Sequence, residues 1–302
     1  MRLKAFYSDH FVLPLPPEHR FPMEKYSRLR ARILAERVLP PENLLTPDAA
    51  TDDQILLAHD AAYLERVKRG TLTDREQRRI GFPWSPEMVE RTRRSAGGTI
   101  GACRRALEEG ISVNLAGGTH HAFRDRGGGY CVLNDSAIAA RVMQAAGAVR
   151  RVVILDCDVH QGDGTAAIFA GDPSVFTFSI HGAGNFPFHK QRSDLDLELE
   201  DGTGDDVYLA LLEEGVRRAL AQANADLAIY LAGADPYAGD RLGRLRLSLE
   251  GLAQRDRLVL GLCRERGLPA AVTMAGGYAR QLDDIVTIHL QTVRIAAELA
   301  GG

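Results

Sequence analysis

The stretch Ile154-Leu155-Asp156-Cys157-Asp158-Val159-His160-Gln161-Gly162-Asp163-Gly164 restricts what the chain can become more than any other. It follows Val152 and Val153, so its start belongs to an aliphatic run of the kind buried on both faces in a parallel sheet. Asp156, Asp158 and His160 then recur with period two, and an extended chain would project all three to one side. Two carboxylates and an imidazole converging there are very costly to bury without a counter-charge, which a divalent metal supplies. Gly162 and Gly164 let the chain turn at the strand's carboxyl end, where open α/β sheets bind ligands. Acids at a strand end can also cap the following helix, but three ligand types on one face favour a metal site.

The rest of the chain reads as strands alternating with helices. Leu3–Tyr7 forms a first strand and Asp9–Pro22 an irregular loop. Helices are predicted over 23–38, from the Thr51-Asp52-Asp53-Gln54 capping box to Leu57, and over 60–68, ending at Gly70. Residues 71–84 read as a long polar loop with Trp84 packed beneath it. Ser85-Pro86-Glu87 opens a helix to Glu109, in which Gly97, Gly98 and Gly101 imply close packing against a neighbour. Further strands are expected at 111–116, 152–156, 175–180, 227–232 and 270–274, with helices at 134–146, 205–222, 249–266 and 282–299. The alternation Asp194–Glu200 is a strand with one solvated face in preference to an acidic rim for basic substrates. This order implies an α/β protein, a parallel sheet covered on both faces, in one domain spanning 1–302.

Composition narrows the setting. A net charge of −3 gives no support for nucleic-acid or anionic-membrane binding. Cys103, Cys131, Cys157 and Cys263 are too scattered for a CxxC site or a disulfide framework, which points to a reducing compartment. Met1–Tyr7 is too short and polar for a signal peptide, and no apolar run reaches the roughly 18 residues of a membrane span. The expectation is a soluble, cytoplasmic protein.

Other chemistry-bearing residues also sit just after strands. Gly117-Gly118-Thr119-His120-His121 offers two metal ligands, an acid/base pair, or one structural and one exposed histidine; the glycines permit a turn that presents both rings. Gly127-Gly128-Gly129-Tyr130-Cys131 and Ala275-Gly276-Gly277-Tyr278 need backbone freedom, although each could be a mere turn. Asp235, after Leu231-Ala232-Gly233-Ala234, shares a sheet edge with Asp158 and His160.

Together these residues resemble the zinc-dependent histone deacetylase and acetylpolyamine amidohydrolase family, whose fold is the arginase-like three-layer αβα sandwich. The match runs from His19 to about His289, and is closest to the class IV enzymes and their bacterial relatives through His19–Met23, Gly81–Pro86, Ser193–Asp196 and Asp201–Asp205. The resemblance implies that Asp158, His160 and Asp235 bind one Zn2+, or Fe2+ in the cell, with room for water and a substrate carbonyl. Such a metal lowers the water's pKa and polarises the amide. His121, backed by Asp163, would be the main base and then the acid; His120, backed by Asp156, would hold charge and position the water. Tyr278 would donate to the oxyanion. A structural K+ or Na+ would use Asp156, Asp158, His160, Ser179 and the Ile180 carbonyl, and a second Phe169, Asp172 and Val175.

Gly129, Tyr130 and Phe186 would line an acyl-lysine tunnel with Leu242 near its mouth. Three departures bear on that tunnel: Tyr130 where class I enzymes have phenylalanine, Gly182 in place of lysine after His181, and Gln161 in place of histidine. The implied substrate is an acylated lysine in a protein or peptide, or a small acylated amine such as an acetylpolyamine. Long fatty acyl groups are also expected, with Gly182, Ala183 and Gly184 leaving space beside Phe186. A two-manganese ureohydrolase shares the fold, but it carries a bridging aspartate two residues after the equivalent of Asp235, where this chain has Tyr237. A catalytically dead acyl-lysine reader is the non-enzymatic rival, though it need not keep ligands, base and tyrosine together.

Overall fold

The aliphatic run beginning at Val152 forms the strand β4 (Val152–Asp156), and all five of its residues are buried. The computed structural model describes residues 3–16 and 18–301. The ends of the expected domain and of the polar N-terminus, residues 1, 2 and 302, lie outside those residues, as does Pro17 of the expected loop. β4 lies inside an all-parallel sheet with β1 (Lys4–Phe6), β2 (Leu44–Leu45), β3 (Ile111–Asn114), β5 (Val175–Gly182), β6 (Leu195–Leu199), β7 (Leu227–Leu231) and β8 (Ala270–Thr273). The spatial order is β2-β1-β3-β8-β7-β4-β5-β6, so the last two strands in the chain fill the centre. In register, Asp156 stands opposite Ser179 on one side and Leu231 on the other.

Alternate residues of each strand feed two separate cores, as the period of two requires. Val153 and Leu155 of β4 join Ala228 and Tyr230 of β7 beneath α1 (Glu24–Ala35), α8 (Asp205–Ala223), α9 (Leu249–Glu265) and α10 (Leu282–Gly301). Val152 and Ile154 join Ile229 and Leu231 on the opposite face. That face is covered by α2 (Asp52–Leu56), α3 (Ala61–Arg69), α4 (Asp74–Ile80), α5 (Pro86–Glu109) and α6 (Asp135–Ala145). The architecture is a three-layer αβα sandwich of the arginase-like kind, as the sequence implies. Among the described residues no helix is long and apolar enough to cross a membrane. All four cysteines are free and buried.

Two helices depart from expectation. Residues 74–80, predicted as loop, form α4; Thr73 and Glu76 close a full capping box, but only Ile80 is buried, so no apolar period marks the helix. α7 (Asp163–Ile168) begins at the turn expected around Gly162 and Gly164 and continues over residues for which no helix is expected. Trp84 does pack under its segment: its indole N–H donates to the Val67 carbonyl at 2.7 Å. Residues 195–199 form the edge strand β6 as expected, and two of the acids in this stretch are engaged locally. Asp194 accepts from the Thr177 amide at 2.8 Å, and Asp196 from the Ser193 amide at 2.8 Å.

The glycines of α5 mark close approach. A Cβ on Gly101 would lie 2.7 Å from the Phe6 ring, and one on Gly97 would overlap the Asp48 carbonyl. Gly261 in α9 has open space at the same position. Gly97→Ala should therefore destabilise by about 1–3 kcal/mol through overpacking, whereas Gly261→Ala should stabilise by about 1 kcal/mol through helix propensity. Urea titrations of both variants check this, and equal effects would show that α5 can move away from Asp48.

Candidate active site

Every functional segment leaves the sheet at the carboxyl end of a strand. After β4 the chain does not stay extended, so the period-two expectation does not produce the convergence. Turns stapled by side chains do: the Asp158 amide donates to Asp156 Oδ1 at 3.1 Å, and the His160 amide to Asp158 Oδ1 at 3.0 Å. Two neighbouring loops hold the carboxylates in place. The Val159 amide donates to Asp235 Oδ1 at 2.9 Å, and the Gly276 amide to Asp158 Oδ2 at 2.8 Å.

Ligand atoms of Asp158, His160 and Asp235 all lie within 4.8 Å of one another, and all three residues are buried. His160 Nδ1 sits 2.9 Å from Asp158 Oδ1 and 3.3 Å from Asp235 Oδ2. Asp235 Oδ2 has no hydrogen-bond partner although it is buried. Burial and the Asp158 charge push the Asp235 carboxyl up to about 7, while those two carboxylates hold His160 up at about 10 against the effect of burial. A small cation would relieve both strains. Gly276 leaves room for one, since a Cβ there would lie 2.6 Å from Asp158 Oδ2 and would overlap Asp235 Oδ2. The two carboxylates and one imidazole therefore fit a divalent metal ion.

The loop after β3 turns at Gly117 and Gly118, with φ of 80° and 75°. A Cβ on Gly118 would approach Ala275 to 2.5 Å, so only glycine fits. Both histidines of this loop enter the site, and neither is exposed. His120 Nδ1 lies 2.6 Å from Asp156 Oδ2, and His121 Nδ1 lies 2.6 Å from Asp163 Oδ1. Their environments separate them. Burial opposes charge on His120, but Asp156 and Asp158 outweigh it and raise the ring to about 9. Burial and the adjacent His120 hold His121 down at about 4 despite Asp163. One ring is thus set up to carry charge and the other to accept a proton.

Tyr278 is buried, and its ring centroid lies 5.7 Å from that of Tyr130. Its backbone amide donates to Asp240 Oδ2 at 2.6 Å. Burial pushes the phenol well above its ordinary range, which keeps its hydrogen available for donation. His120, His121, Asp158, His160, Asp235 and Tyr278 border one cavity of about 460 Å³, walled also by Gly129, Tyr130, Phe186 and Leu242. Phe186 and Leu242 are 41% and 38% exposed, as befits a mouth. Phe188, 76% exposed, joins them without having been foreseen, as do Phe21 and Lys25 deeper in.

Other predicted residues fall differently. Ser179 and Ile180 are buried in β5, and Ser179 Oγ is already 2.9 Å from His181 Nδ1. Phe169, Asp172 and Val175 share a tight turn: the Asp172 amide donates to the Phe169 carbonyl at 2.9 Å, and the Asp172 carboxylate pairs with Arg141. Gly184 borders the cavity beside Phe186, whereas Gly182 does not. A Cβ on Gly182 would overlap Asn185, so Gly182 serves a packed turn, and one on Gly184 would reach Asp201 Oδ1 at 2.7 Å. Gln161 tethers the neighbouring loop, donating to the Gln191 carbonyl at 2.6 Å and Asp196 Oδ1 at 2.9 Å.

The sequence reading missed the support beneath the histidine pair. Asp135 accepts from the Gly118 and Thr119 amides at 3.0 and 2.7 Å, and Asn134 Nδ2 donates to the Ala122 carbonyl at 3.0 Å. Asn134 and Asp135 are visible in sequence only as a helix start; nothing there shows that they reach back across a loop. His59 Nε2 accepts the Asn134 amide at 2.9 Å.

The all-parallel sheet and its buried carboxylate–histidine cluster define an α/β protein with a candidate metal site at the strand ends. The sequence matches the histone deacetylase domain over residues 19–293. It is 46% identical over 299 residues to an uncharacterised protein of Picosynechococcus sp., covering 99% of this chain and 100% of that one. It is 28% identical over 284 residues to histone deacetylase 2 of Arabidopsis thaliana, covering 91% and 73% of the two chains. The crystal structure of a histone deacetylase homologue from Aquifex aeolicus superposes with a TM-score of 0.83 at 22% identity, covering 100% of this chain and 84% of that one, a likeness of fold. The chain belongs to the histone deacetylase family.

His59 gives a pH test of the scaffold. Burial lowers its pKa from 6.5 to about 4, so between those values the unfolded chain binds the extra proton. Its contribution is complete above pH 6.5 and fades as the pH falls towards 4, by on the order of 2–3 kcal/mol. Urea melts at pH 7 and pH 4.5 should show His59→Gln losing less stability on acidification than the parent. Equal losses would show that His59 does not titrate in this range.

Proposed function

We propose that this protein is a metal-dependent amidohydrolase that removes short acyl groups, acetyl foremost, from the ε-amine of lysine. The observation that carries this reading is one cavity bordered by the Asp158–His160–Asp235 cluster, two His–Asp pairs and Tyr278. Asp158, His160 and Asp235 would hold the ion, zinc as isolated or iron(II) in the cell, since imidazole and carboxylate suit both. When bound, that ion would supply Lewis-acid polarisation of the amide and a more acidic water.

The chain's own groups would move the protons. His121, neutral above about pH 4, accepts a proton from the attacking water at the ring nitrogen not engaged by Asp163, and returns it to the departing lysine amine. His120, held charged by Asp156, stabilises the negative charge that develops nearby. The Tyr278 hydroxyl donates to the acyl oxygen as it gains charge. Water adds to the acyl carbon, the C–N bond breaks, and the acyl group leaves as its carboxylate. A K+ or Na+ beneath this apparatus would use Asp156, which faces Ser179 in register, with Asp158, His160 and the Ile180 carbonyl.

Acyl length follows from space. The packed turn at Gly182 closes that side of Phe186, and Gly184 borders only the main cavity. The side cavity lined by Leu13, Phe82, Met88 and Val132 is only about 50 Å³. A long chain would then meet overpacking rather than a gain of roughly 0.8 kcal/mol per methylene. On one peptide, acetyl-lysine should show a higher kcat/KM than myristoyl-lysine; the reverse order would show that the wall opens. Tyr278→Phe should lower kcat on acetyl-lysine peptide by about 10²-fold or more while the circular dichroism melt stays in place. An unchanged rate would remove Tyr278 from the chemistry, and absence of turnover by the metal-loaded parent on any acyl-lysine peptide would refute the amidohydrolase.

A further inference from the structure

Outside the metal cluster, the charged groups around the cavity are cationic. Arg78 and Arg79 from the end of α4 and Arg244 from the segment after β7 all reach its border, and all three are exposed. Among the described residues, no carboxylate other than Asp158 and Asp235 lines it. Arg244 is shared with an adjoining hollow of about 650 Å³, to which Arg246 and Arg280 contribute. Two acids line that hollow, and both are engaged. Asp201 pairs with Arg244 at 3.1 Å, while Asp240 accepts the Leu242, Gly243 and Tyr278 amides at 2.7, 2.9 and 2.6 Å.

Among the described residues, the side chains of Arg78, Arg79, Arg246 and Arg280 have no ion-pair partner. The chain as a whole carries −3, so this cationic surface is local. It is also held in place: the Gly129 amide donates to the Arg79 carbonyl at 3.0 Å and the Tyr130 amide to the Ile80 carbonyl at 2.7 Å. The arginines of α4 are thereby tied to the tunnel wall itself.

We propose that the acyl-lysine taken by this site lies in an acidic peptide segment, with glutamate or aspartate within a few residues of the lysine. The inference rests on the amidohydrolase reading and narrows its substrate. Flanking carboxylates would meet unpaired guanidinium groups around the mouth. Basic flanks, or the free ammonium groups of an acetylated polyamine, would be repelled. Each solvent-exposed pair contributes about 1.5- to 5-fold, and the effect fades as salt shortens the screening length.

Three peptides carrying the same acetyl-lysine, flanked by glutamate, glutamine or lysine, test this with the metal-loaded protein. At low salt kcat/KM should follow glutamate over glutamine over lysine, with about 10-fold or more between the extremes, and the spread should shrink in 0.5 M NaCl. The glutamate-to-lysine ratio should fall in Arg78→Gln/Arg79→Gln and, separately, in Arg246→Gln/Arg280→Gln. These side chains are exposed and unpaired, and the ratio is internal to each variant, so a partial loss of folded protein does not distort it. Turnover of the glutamine peptide without charge ordering, a preference for the lysine peptide, or ratios unchanged in both variants would overturn the inference alone. No turnover of the glutamine peptide would overturn the amidohydrolase reading, and the inference with it.

Discussion

Two carboxylates face each other in the dry end of a parallel sheet, and most of the site's construction follows from that. Asp158 and Asp235 are almost fully buried, and one oxygen of Asp235 has no hydrogen-bond partner. Isolated charges in such a place are strongly disfavoured unless a cation or a proton answers them. Within the chain, the answer comes from His160 and from amides of two different loops, those of Val159 and His160 after β4 and of Gly276 after β8. Those loops can meet because parallel strands deliver all their carboxyl ends to one edge. β7 and β8, last in the chain, sit centrally between β3 and β4 and bring Asp235 and Gly276 to Asp158.

The same low-dielectric setting divides the neighbouring histidines. They are consecutive in sequence, each bonded to its own aspartate at 2.6 Å, and yet their pKa values move in opposite directions. Proximity to Asp158 favours charge on His120, and that charge in turn disfavours it on His121. The scaffold that sets this geometry is polar and deeply placed: Asp135 fixes the loop amides, Asn134 the Ala122 carbonyl, and His59 the Asn134 amide.

Much of this was legible in the sequence, for identifiable reasons. β4 and the long capped helix α5 appear as read, because a buried parallel strand is a continuous aliphatic run and Ser85-Pro86-Glu87 is an unambiguous start. α4 was not legible, because a polar helix with one buried residue has no apolar period. The site residues were found by type and by place after strands, yet the extended geometry expected for Asp156, Asp158 and His160 is replaced by turns stapled through their own carboxylates. Gly182 misled about space, since a glycine admits a close neighbour as readily as it leaves a gap. The Asp135 and His59 supports rest on contacts across 16 and 75 residues of chain, which no local pattern encodes.

The central claim is that the buried carboxylates are organised around a single divalent ion. The most direct measurement is metal content per chain after exposure to zinc and removal of excess, for the parent and for Asp235→Asn, with a melting curve on each. The account predicts one ion per parent chain, a rise in Tm on binding, and severe loss of both in the variant, which neutralises the carboxylate with the orphaned oxygen. Two ions per chain, or an Asp235→Asn protein that retains its metal and its metal-dependent Tm, would contradict it.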